Sequence, residues 1–245
     1  MTACVIIPAR LGSTRFPQKI LASQTGRPLV QHVVDQVRGC RRIARVIVAA
    51  DHPRIVDAVS PYGTHVVLTD PAHPSGTDRI AEVAAKLPDD IIINVQGDEP
   101  EIQPQIVDDL AARLEQSGDD MATVATPFPA DADPADPNLV KVVRALDGRA
   151  MYFSRSVVPF QRDPQSGGRP AYLLHLGIYA YRRRFLLELA SWKPTPCEVA
   201  EKLEQLRVLE HGRTIHVLLA EHRTQGIDTP QQYAQFVKRW RANHE

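Results

Sequence analysis

Short apolar runs alternate with helical patterns through the first half of the chain. Runs of β-branched and other apolar residues predict buried strands at residues 5–7, 46–50, 66–68 and 91–96. Between the first two runs, apolar residues recur at helical spacing from Leu29 to Val37. Strands that alternate with helices are typical of a mostly parallel sheet covered by helices. The sequence therefore predicts an α/β fold.

This alternation stops at a segment rich in proline and acid. Residues 127–137 hold four prolines and three aspartates, which permit neither a helix nor a central strand. We interpret the segment as a linker into a second, smaller layer. Beyond it, residues 140–143 and 151–154 are expected to pair as a ribbon, and the polar loop 163–170 is a candidate lid.

Two later segments present polar residues on one face. In a strand predicted over 173–181, alternation places His175 and Tyr179 on the same face, which is typical of a pocket wall or an interface. One continuous helix is predicted over about 197–210, with Glu204 and Gln205 opposite its apolar stripe. Periodicity alone makes that polar side an ordinary solvated surface. The predicted stripe consists of Val199, Leu203, Leu206 and Leu209.

Composition excludes several classes of protein. The chain has 245 residues, 43% of them apolar, and equal numbers of basic and acidic residues at 29 each. This balance argues against the wide basic face of a nucleic-acid-binding protein. Three widely spaced cysteines indicate neither a disulfide framework nor a zinc site, and no apolar stretch reaches membrane-spanning length. We expect a cytoplasmic protein with no membrane insertion and a small-molecule substrate.

The loop after the first strand is cationic although the whole chain is neutral. Arg10, Arg15, Lys19 and Arg27 precede Asp35, which is the first acid of the chain. Ligands of open α/β sheets bind at the carboxyl ends of strands, so these cations are placed to hold a polyanion. A solvated basic surface loop is the alternative.

A helix start at Ser75 carries an unexpected arginine. Ser75 and Asp78 have the spacing of a capping box, and this common role alone would account for both residues. Arg79 in the first turn is unfavourable for the helix dipole. A nearby anion would account for it.

Two aspartates are candidates for a metal site. Asp98 follows the most apolar strand after Gly97, which suits either a turn or a Mg²⁺ ligand facing a phosphate loop. Asp228 precedes the last helix, where Thr229 is the expected N-cap and Gln232 its capping-box partner. Asp228 is therefore not required for the cap. Given the basic loop, we favour Mg²⁺ as the partner of Asp98.

Seven motifs in order resemble the 3-deoxy-manno-octulosonate (Kdo) cytidylyltransferases. The similarity covers nearly the whole chain, and seven collinear motifs are a highly specific signal. Two residues depart from the family's first motif, because Gln18 stands where Gly is usual and Ile20 where Pro is usual. The motifs are Pro8-Ala-Arg-Leu-Gly-Ser-Thr-Arg-Phe-Pro-Gln-Lys19, Ser75-Gly-Thr-Asp-Arg79, Asn94-Val-Gln-Gly-Asp-Glu-Pro100, Tyr152-Phe-Ser-Arg155, His175-Leu-Gly-Ile-Tyr179, Leu203-Glu-Gln-Leu-Arg207 and Ile227-Asp-Thr-Pro230.

The resemblance implies an architecture and a reaction. It implies a Rossmann-like nucleotidyltransferase domain over 1–245, with a nucleotide-binding part at 1–128 and a sugar-binding and dimerising part at about 138–222. The implied enzyme joins CTP and Kdo into CMP-Kdo and pyrophosphate for lipopolysaccharide biosynthesis, as a homodimer.

The resemblance also implies roles for individual residues. Catalysis is assigned to Arg10, Lys19, Asp98 and Asp228, with Mg²⁺ held by the two aspartates. Nucleotide binding is assigned to Pro8, Ala9, Arg10, Ser13, Arg15, Lys19, Ser75, Gly76, Thr77 and Arg79. Sugar binding is assigned to Gln96, Arg155, His175, Tyr179, Glu204 and Gln205.

Four alternatives stay open at this point. The sugar could be 8-amino-Kdo or another 2-keto sugar acid. The second alternative is a sialic-acid cytidylyltransferase, which typically has Gly-Gly-Ser-Lys where this chain has Leu11-Gly-Ser-Thr14. The third is a glycosyltransferase, which needs an Asp-x-Asp motif at a strand end, whereas Asp131-Ala-Asp133 lies in the proline-rich segment. A catalytically dead nucleotide sensor is disfavoured because the basic and acidic residues of the implied site are all present.

Overall fold

A computed structural model describes residues 1–163, 171–221 and 226–243. Within these ranges the chain forms strands and helices that alternate in the first half, as predicted. The strands are β1 (Ala3–Ala9), β2 (Ile43–Ala50), β3 (His65–Leu68), β4 (Ile91–Asn94), β5 (Met121–Pro127), β6 (Lys141–Arg144), β7 (Ala150–Ser154), β8 (Leu173–Arg182) and β9 (His216–Leu219). The helices are α1 (Leu29–Val37), α2 (Pro53–Val59), α3 (Gly76–Ala84), α4 (Pro104–Gln116), α5 (Arg183–Ser191), α6 (Pro196–Glu201), α7 (Gln205–Glu210) and α8 (Pro230–Ala242).

The central sheet has the order β3-β2-β1-β4-β8-β5-β9. Its strand pairs are parallel except those that involve β8, which is antiparallel to both β4 and β5. The prediction of a mostly parallel α/β sheet is confirmed. Because β8 runs in the opposite direction, Tyr179 pairs with Asn94 at the carboxyl end of β4. The first half of β8 therefore lies at the edge where the parallel strands end.

Two apolar cores lie on opposite faces of this sheet. Every residue of β1 is buried, with Val5 and Ile7 packed on the side of α1 and α4, and Cys4 and Ile6 on the side of α3 and α5. Strands covered on both faces have near-continuous apolar sequences, which explains why the sequence pattern identified β1 and β4. Among the described helices, none has the length and apolar character needed to cross a membrane.

The predicted ribbon forms beside the sheet. Strands β6 and β7 pair antiparallel, and Lys141 of β6 pairs with Leu174 of β8. Lys141 is fully buried, and its Nζ donates to the carbonyl oxygens of Asp136 and Arg155 at 3.2 and 2.5 Å. The candidate lid at 163–170 falls almost wholly outside the described residues.

The continuous helix predicted over about 197–210 is wrong. The chain forms α6 and α7 instead, with a break at Lys202, whose backbone is left-handed at φ 53°. This break changes the helical phase, so that Val199 is 51% exposed while Val208 is fully buried. Gln205, expected on a solvated face, is only 5% exposed. A pattern read as one helix cannot show a change of phase at its centre.

Candidate active site

The basic loop is fixed at both sides by the strands next to it. The backbone N–H of Leu11 donates to Oδ1 of Asp51, which directly follows β2, at 2.9 Å. Arg10 donates through Nη2 to the carbonyl oxygen of His73 at 3.3 Å. A short 3₁₀ turn at Lys19–Leu21 ends the loop, and Gln18 before it is left-handed at φ 56°. The loop therefore holds its cations at the carboxyl edge of the sheet.

A close backbone approach places Asp98 against this loop. A Cβ on Gly97 would lie 3.1 Å from the carbonyl oxygen of Pro8, which is tighter than a side chain tolerates without movement. Glycine therefore lets the end of β4 approach the end of β1. Asp98, the next residue, faces Lys19.

Lys19 bridges the two candidate metal ligands. Its Nζ donates to Oδ2 of Asp98 at 2.5 Å, to Oδ1 of Asp228 at 3.0 Å and to the carbonyl oxygen of Ile227 at 2.9 Å. These bonds use all three donors of the ammonium group. Arg15 pairs with the other oxygen of Asp228 at 3.1 Å. Burial lowers the pKa of Lys19, but Asp98 and Asp228 raise it above its ordinary value overall.

This geometry corrects one expectation about the aspartates. The sequence showed Thr229 and Gln232 completing the helix cap, which the structure confirms, and left Asp98 and Asp228 without a local partner. In the structure Lys19 pairs with both carboxylates, and Arg15 supplies the second positive charge at Asp228. A divalent cation is therefore not the only group that can lie between them.

We call the space around these residues the basic cavity. It has a volume of about 610 Å³ and opens at the carboxyl edge of the sheet. Most of the cationic loop and both aspartates contribute to its wall. The lining residues are Pro8, Arg10, Gly12, Ser13, Thr14, Arg15, Lys19, Ile20, Gly76, Gln96, Gly97, Asp98 and Asp228.

Some predicted nucleotide-binding residues do not line the basic cavity. Ala9 is buried in β1, and Ser75 caps α3, with its Oγ donating to Asp78 at 2.6 Å. Thr77 is buried and its hydroxyl donates to Oε1 of Glu204. Thr77 thereby joins the start of α3 to the start of α7.

Arg79 is buried beneath the loop that follows β3. Its Nη1 donates to Oγ1 of Thr69 and to the carbonyl oxygen of Asp70, while Nε and Nη2 have no hydrogen-bond partner among the described residues. Burial lowers the pKa of Arg79, and the nearby Asp51 opposes this effect. Arg79 thus stabilises the loop after β3, near Arg10, and does not line the basic cavity. The expected contact between Arg79 and an anion stays a prediction.

A second space, which we call the side cavity, adjoins the first. It has a volume of about 360 Å³, and Asp228 lines both cavities. Four of the predicted sugar-binding residues, His175, Tyr179, Glu204 and Gln205, line it. The other lining residues are Glu99, Asn138, Leu139, Val140, Leu174, Leu176, Gly177, Lys202, Leu203 and Gly226.

Two predicted sugar-binding residues lie elsewhere. Gln96 lines the basic cavity, although its side-chain amide is 3.5 Å from the carbonyl oxygen of Gly177 in the side cavity. Arg155 is not among the lining residues of either cavity. Its guanidinium donates to the carbonyl oxygens of Glu201, Pro137 and Lys202 at 2.6, 2.7 and 3.3 Å. Arg155 is therefore a structural clamp on the end of α6 in this structure.

Burial sets the charge state of the side cavity. It lowers the pKa of His175 to about 3, and the ring nitrogen Nε2 lies 2.9 Å from the hydroxyl of Thr123. It raises the pKa of Tyr179 well above its ordinary value, with Glu204 adding to the effect. Burial also raises the pKa of Glu204, although Thr77 and Arg207 oppose this. His175 and Tyr179 are accordingly neutral at physiological pH.

Sequence reasoning missed several residues that line these cavities or, in the case of Asp51, hold the basic loop beside them. Asp51 directly follows a predicted strand, so the rule that ligands collect at strand ends would have identified it. Glu99 and Asn138 sit in turn-rich segments that gave no separate signal. Lys202 was hidden inside the helix that the sequence wrongly predicted as continuous.

Another cavity, of about 480 Å³, lies at the opposite edge of the sheet. It is lined by Met1, Asp90 and Gly118 with three arginines at the end of β8. Arg182 among them donates to the carbonyl oxygens of Leu114, Ser117 and Asp119. This arginine ties the end of α4 to the sheet, so we regard the cavity as structural.

Comparison with known proteins agrees with the geometry at the carboxyl edge. The family profile described as "Cytidylyltransferase" matches residues 4–215. The chain belongs to the cytidylyltransferase family. The enzyme is therefore a nucleotidyltransferase.

Individual relatives match over nearly their whole length. A 3-deoxy-manno-octulosonate cytidylyltransferase of Geobacter sulfurreducens is 46% identical, over 94% of this chain and 96% of the relative. The protein of the same name from Geobacter metallireducens is 44% identical over 98% of each chain.

Two solved structures share the fold of this chain. CMP:2-keto-3-deoxy-manno-octonic acid synthetase complexed with CTP superposes with a TM-score of 0.93 at 38% identity, covering 99% of this chain and 100% of that one. A 4-diphosphocytidyl-2C-methyl-D-erythritol synthase from Anaerococcus prevotii has a TM-score of 0.62 at 14% identity, covering 98% of this chain and 95% of that one. The second likeness shows a common fold alone.

Proposed function

We propose that this cytidylyltransferase transfers the cytidylyl group of CTP to Kdo, giving CMP-Kdo and pyrophosphate for lipopolysaccharide biosynthesis. The observation that carries the proposal is the meeting of the basic cavity and the side cavity at Asp228. A triphosphate in the first and a sugar acid in the second would come together at a shared carboxylate. The names of the relatives at 44–46% identity support the same pair of substrates.

The cationic loop supplies binding for the triphosphate. Arg10, Arg15 and Lys19 line the basic cavity, and charge-assisted hydrogen bonds to phosphate are among the strong polar contacts in proteins. Lys19 and Arg15 pair with Asp98 and Asp228 in this structure. Phosphate oxygens would compete with these carboxylates for the same donors. Binding of CTP is thus an exchange of partners at the loop.

The two aspartates fit a Mg²⁺ ion. Their oxygens lie within hydrogen-bond distance of one Nζ atom, so the carboxylates converge closely enough to share a small cation. Mg²⁺ is usually held by one or two carboxylates together with substrate phosphates and water. No group of three or more His, Cys, Asp or Glu side chains that could hold a metal ion occurs among the described residues. When bound, Mg²⁺ would neutralise phosphate charge and lower the pKa of a nearby hydroxyl.

The reaction itself needs positioning more than a protein base. The anomeric hydroxyl of the sugar attacks the α-phosphorus in line, and a new O–P bond forms. The bond from the α-phosphorus to the oxygen shared with the β-phosphate breaks to release pyrophosphate, and the hydroxyl proton passes to water. Neutral His175 and Tyr179 with Gln205 are placed to orient sugar hydroxyls by hydrogen bonding. Arg10 and Lys19 would stabilise the charge that develops on the phosphates.

Pyrophosphate release tests the function directly. The wild-type enzyme should release pyrophosphate with CTP and Kdo, and far more slowly with ATP, GTP or UTP. A panel of 2-keto sugar acids, including 8-amino-Kdo, identifies the preferred acceptor. Failure to release pyrophosphate with CTP and every member of the panel would refute the proposal, and a clear preference for another acid would replace Kdo.

We also propose that the enzyme is a cytoplasmic homodimer. Met151 of the ribbon is 64% exposed, and Leu146 and Phe160 near it in sequence are almost fully exposed. Exposed apolar side chains mark a protein interface where they form one patch, and we propose that these three residues contribute to such a patch. All three cysteines are free, in keeping with a reducing compartment. Sedimentation equilibrium should give twice the chain mass, and a monomer at micromolar concentration would refute the dimer.

A further inference from the structure

The side cavity carries a charge problem for an acidic sugar. Three of its lining residues are acids, Glu99, Glu204 and Asp228, and Lys202 is the one cation among the described residues that line it. The cations that lie near these acids, Lys19 and Arg15 at Asp228 and Arg207 at 3.9 Å from Glu204, are outside the side cavity and already paired. A 2-keto sugar acid brings a further negative charge. An anion enters an acidic cavity only if a cation compensates it.

We propose that Lys202 binds the carboxylate of the sugar acid and thereby selects acidic sugars over neutral ones. The inference rests on the proposed function, because it takes the acceptor to be a 2-keto sugar acid. In such a compound the carboxylate is attached directly to the anomeric carbon. A cation that holds this carboxylate also positions the hydroxyl that attacks CTP.

Other cations near the cavity already have partners. Arg207 donates to both oxygens of Glu198 at 2.6 and 2.8 Å. Arg155 donates to three carbonyl oxygens, and buried Lys141 donates to two. The side chain of Lys202 is exposed and makes no hydrogen bond or ion pair with the described residues. Its ammonium group is therefore available to a ligand.

The backbone at Lys202 is an independent observation. It adopts φ 53° and ψ 45° at the end of α6, a left-handed conformation in which glycine is the usual residue. Among the described residues, the other non-glycine residue with positive φ is Gln18, which adjoins the basic cavity. Residues held in unfavourable backbone conformations cluster at functional sites. The presence of lysine at a position whose backbone favours glycine therefore indicates that the lysine side chain has a function.

Arg155 maintains this conformation. Its Nε and Nη2 donate to the carbonyl oxygens of Glu201 and Lys202, the last two residues before the chain turns. The contact holds the backbone at Lys202 without placing the guanidinium in either cavity. Arg155 is thus a positioning residue for Lys202, which gives the predicted sugar-binding arginine an indirect role.

Kinetics of two variants test the proposal. Lys202→Met should raise the KM for Kdo at least about tenfold while the KM for CTP changes less than twofold. Lys202→Arg keeps the charge and should stay within about threefold of the wild type. Lys193→Met removes an exposed lysine outside both cavities and serves as the matched control. An unchanged KM for Kdo in Lys202→Met would overturn the proposal.

The charge of the ligand gives a second readout. The affinities for Kdo and for its C1 amide are measured by calorimetry. The wild type should bind the acid at least about tenfold more tightly than the amide, and Lys202→Met should bind the two compounds with equal affinity. Equal losses of affinity for acid and amide would assign Lys202 a structural role and refute carboxylate binding.

Lys202→Gly separates the side chain from the backbone. Glycine accepts the left-handed conformation without strain, so this variant should be at least as stable as the wild type yet lose affinity for Kdo as Lys202→Met does. Wild-type affinity in Lys202→Gly would overturn the proposal. A wild-type enzyme that binds Kdo through Lys202 but releases no pyrophosphate would refute the proposed function alone.

Discussion

Replacement of Lys19 by methionine tests the charge balance at the centre of the site. Methionine keeps the length of the apolar stem and removes the ammonium group. The change deletes the hydrogen bonds to Asp98, Asp228 and Ile227, so that, among the described residues, Arg15 at Asp228 is the one cation left between the two carboxylates. We expect Lys19→Met to be less stable than the wild type in the absence of ligands.

The expected loss of stability follows from burial and charge. A hydrogen bond between charged groups contributes about 1.5–3 kcal/mol. The Lys19 side chain is 13% exposed, but that of Asp228 is 42% exposed, so water screens the second ion pair and the two contributions do not add in full. We therefore expect a net loss of about 1.5–3 kcal/mol, and a decrease in Tm of roughly 3–12 °C at about 2–4 °C per kcal/mol for a chain of this length.

The pH dependence has a definite sign. The folded-state pKa of Lys19 is raised, so its contribution is fully present below the ordinary lysine pKa and disappears only as pH rises through the higher folded value. The difference in Tm between wild type and Lys19→Met should accordingly stay constant from about pH 6 to 9.

Thermal unfolding with and without Mg²⁺ completes the test. In Lys19→Met, Asp98 loses its ammonium partner and Asp228 keeps Arg15 alone among the described cations, so millimolar Mg²⁺ should raise the Tm of the variant more than that of the wild type. Lys19→Met combined with Asp228→Asn removes the repulsion and should recover part of the lost stability. Lys238→Met, an exposed lysine on α8, is the matched control. A Lys19→Met protein as stable as the wild type, or an equal effect of Mg²⁺ on both, would refute the reasoning.

Three further predictions address separate parts of the site. Asp98→Asn and Asp228→Asn should each lower kcat by orders of magnitude in pyrophosphate-release assays, because each removes a proposed metal ligand. Circular dichroism should show an intact fold, and a variant with wild-type kcat and unchanged Mg²⁺ dependence would contradict a metal role. His175→Ala should raise the KM for Kdo or lower kcat with little change in CTP binding, and an equal loss of CTP affinity would exclude its place in the sugar site. Gln18→Gly should raise Tm slightly, because glycine relieves the left-handed backbone, although the hydrogen bond from Arg54 is lost; a large fall in Tm would show that this bond outweighs the strain.

Local sequence patterns were sufficient to predict two kinds of element: those held by neighbouring residues and those buried on every side. The cap of α8 follows from three neighbouring residues, Thr229, Pro230 and Gln232, which form the predicted capping box. The continuous apolar character of β1 reflects burial on both faces. Neither conclusion depends on where distant parts of the chain go.

Features set by distant contacts could not be predicted in this way. Alternation identified the two faces of β8, but its place between β4 and β5 and its antiparallel direction depend on pairing across the whole fold. The break at Lys202 likewise lies where Arg155, 47 positions earlier in the chain, donates to the carbonyl oxygens of Glu201 and Lys202. Helical periodicity contains no signal for either contact.

The centre of the site illustrates the same limit and its chemical consequence. Lys19 meets Asp98 and Asp228 across 79 and 209 positions of sequence, so each residue could be identified as a candidate while their mutual neutralisation could not. A phosphate alone would take Lys19 from the aspartates and leave two carboxylates in repulsion, and a divalent cation alone would have to displace the ammonium without offering it a new partner. A nucleotide that arrives with its cation satisfies both sides at once. The charge arrangement therefore favours cooperative binding of metal and CTP, with each raising the affinity for the other.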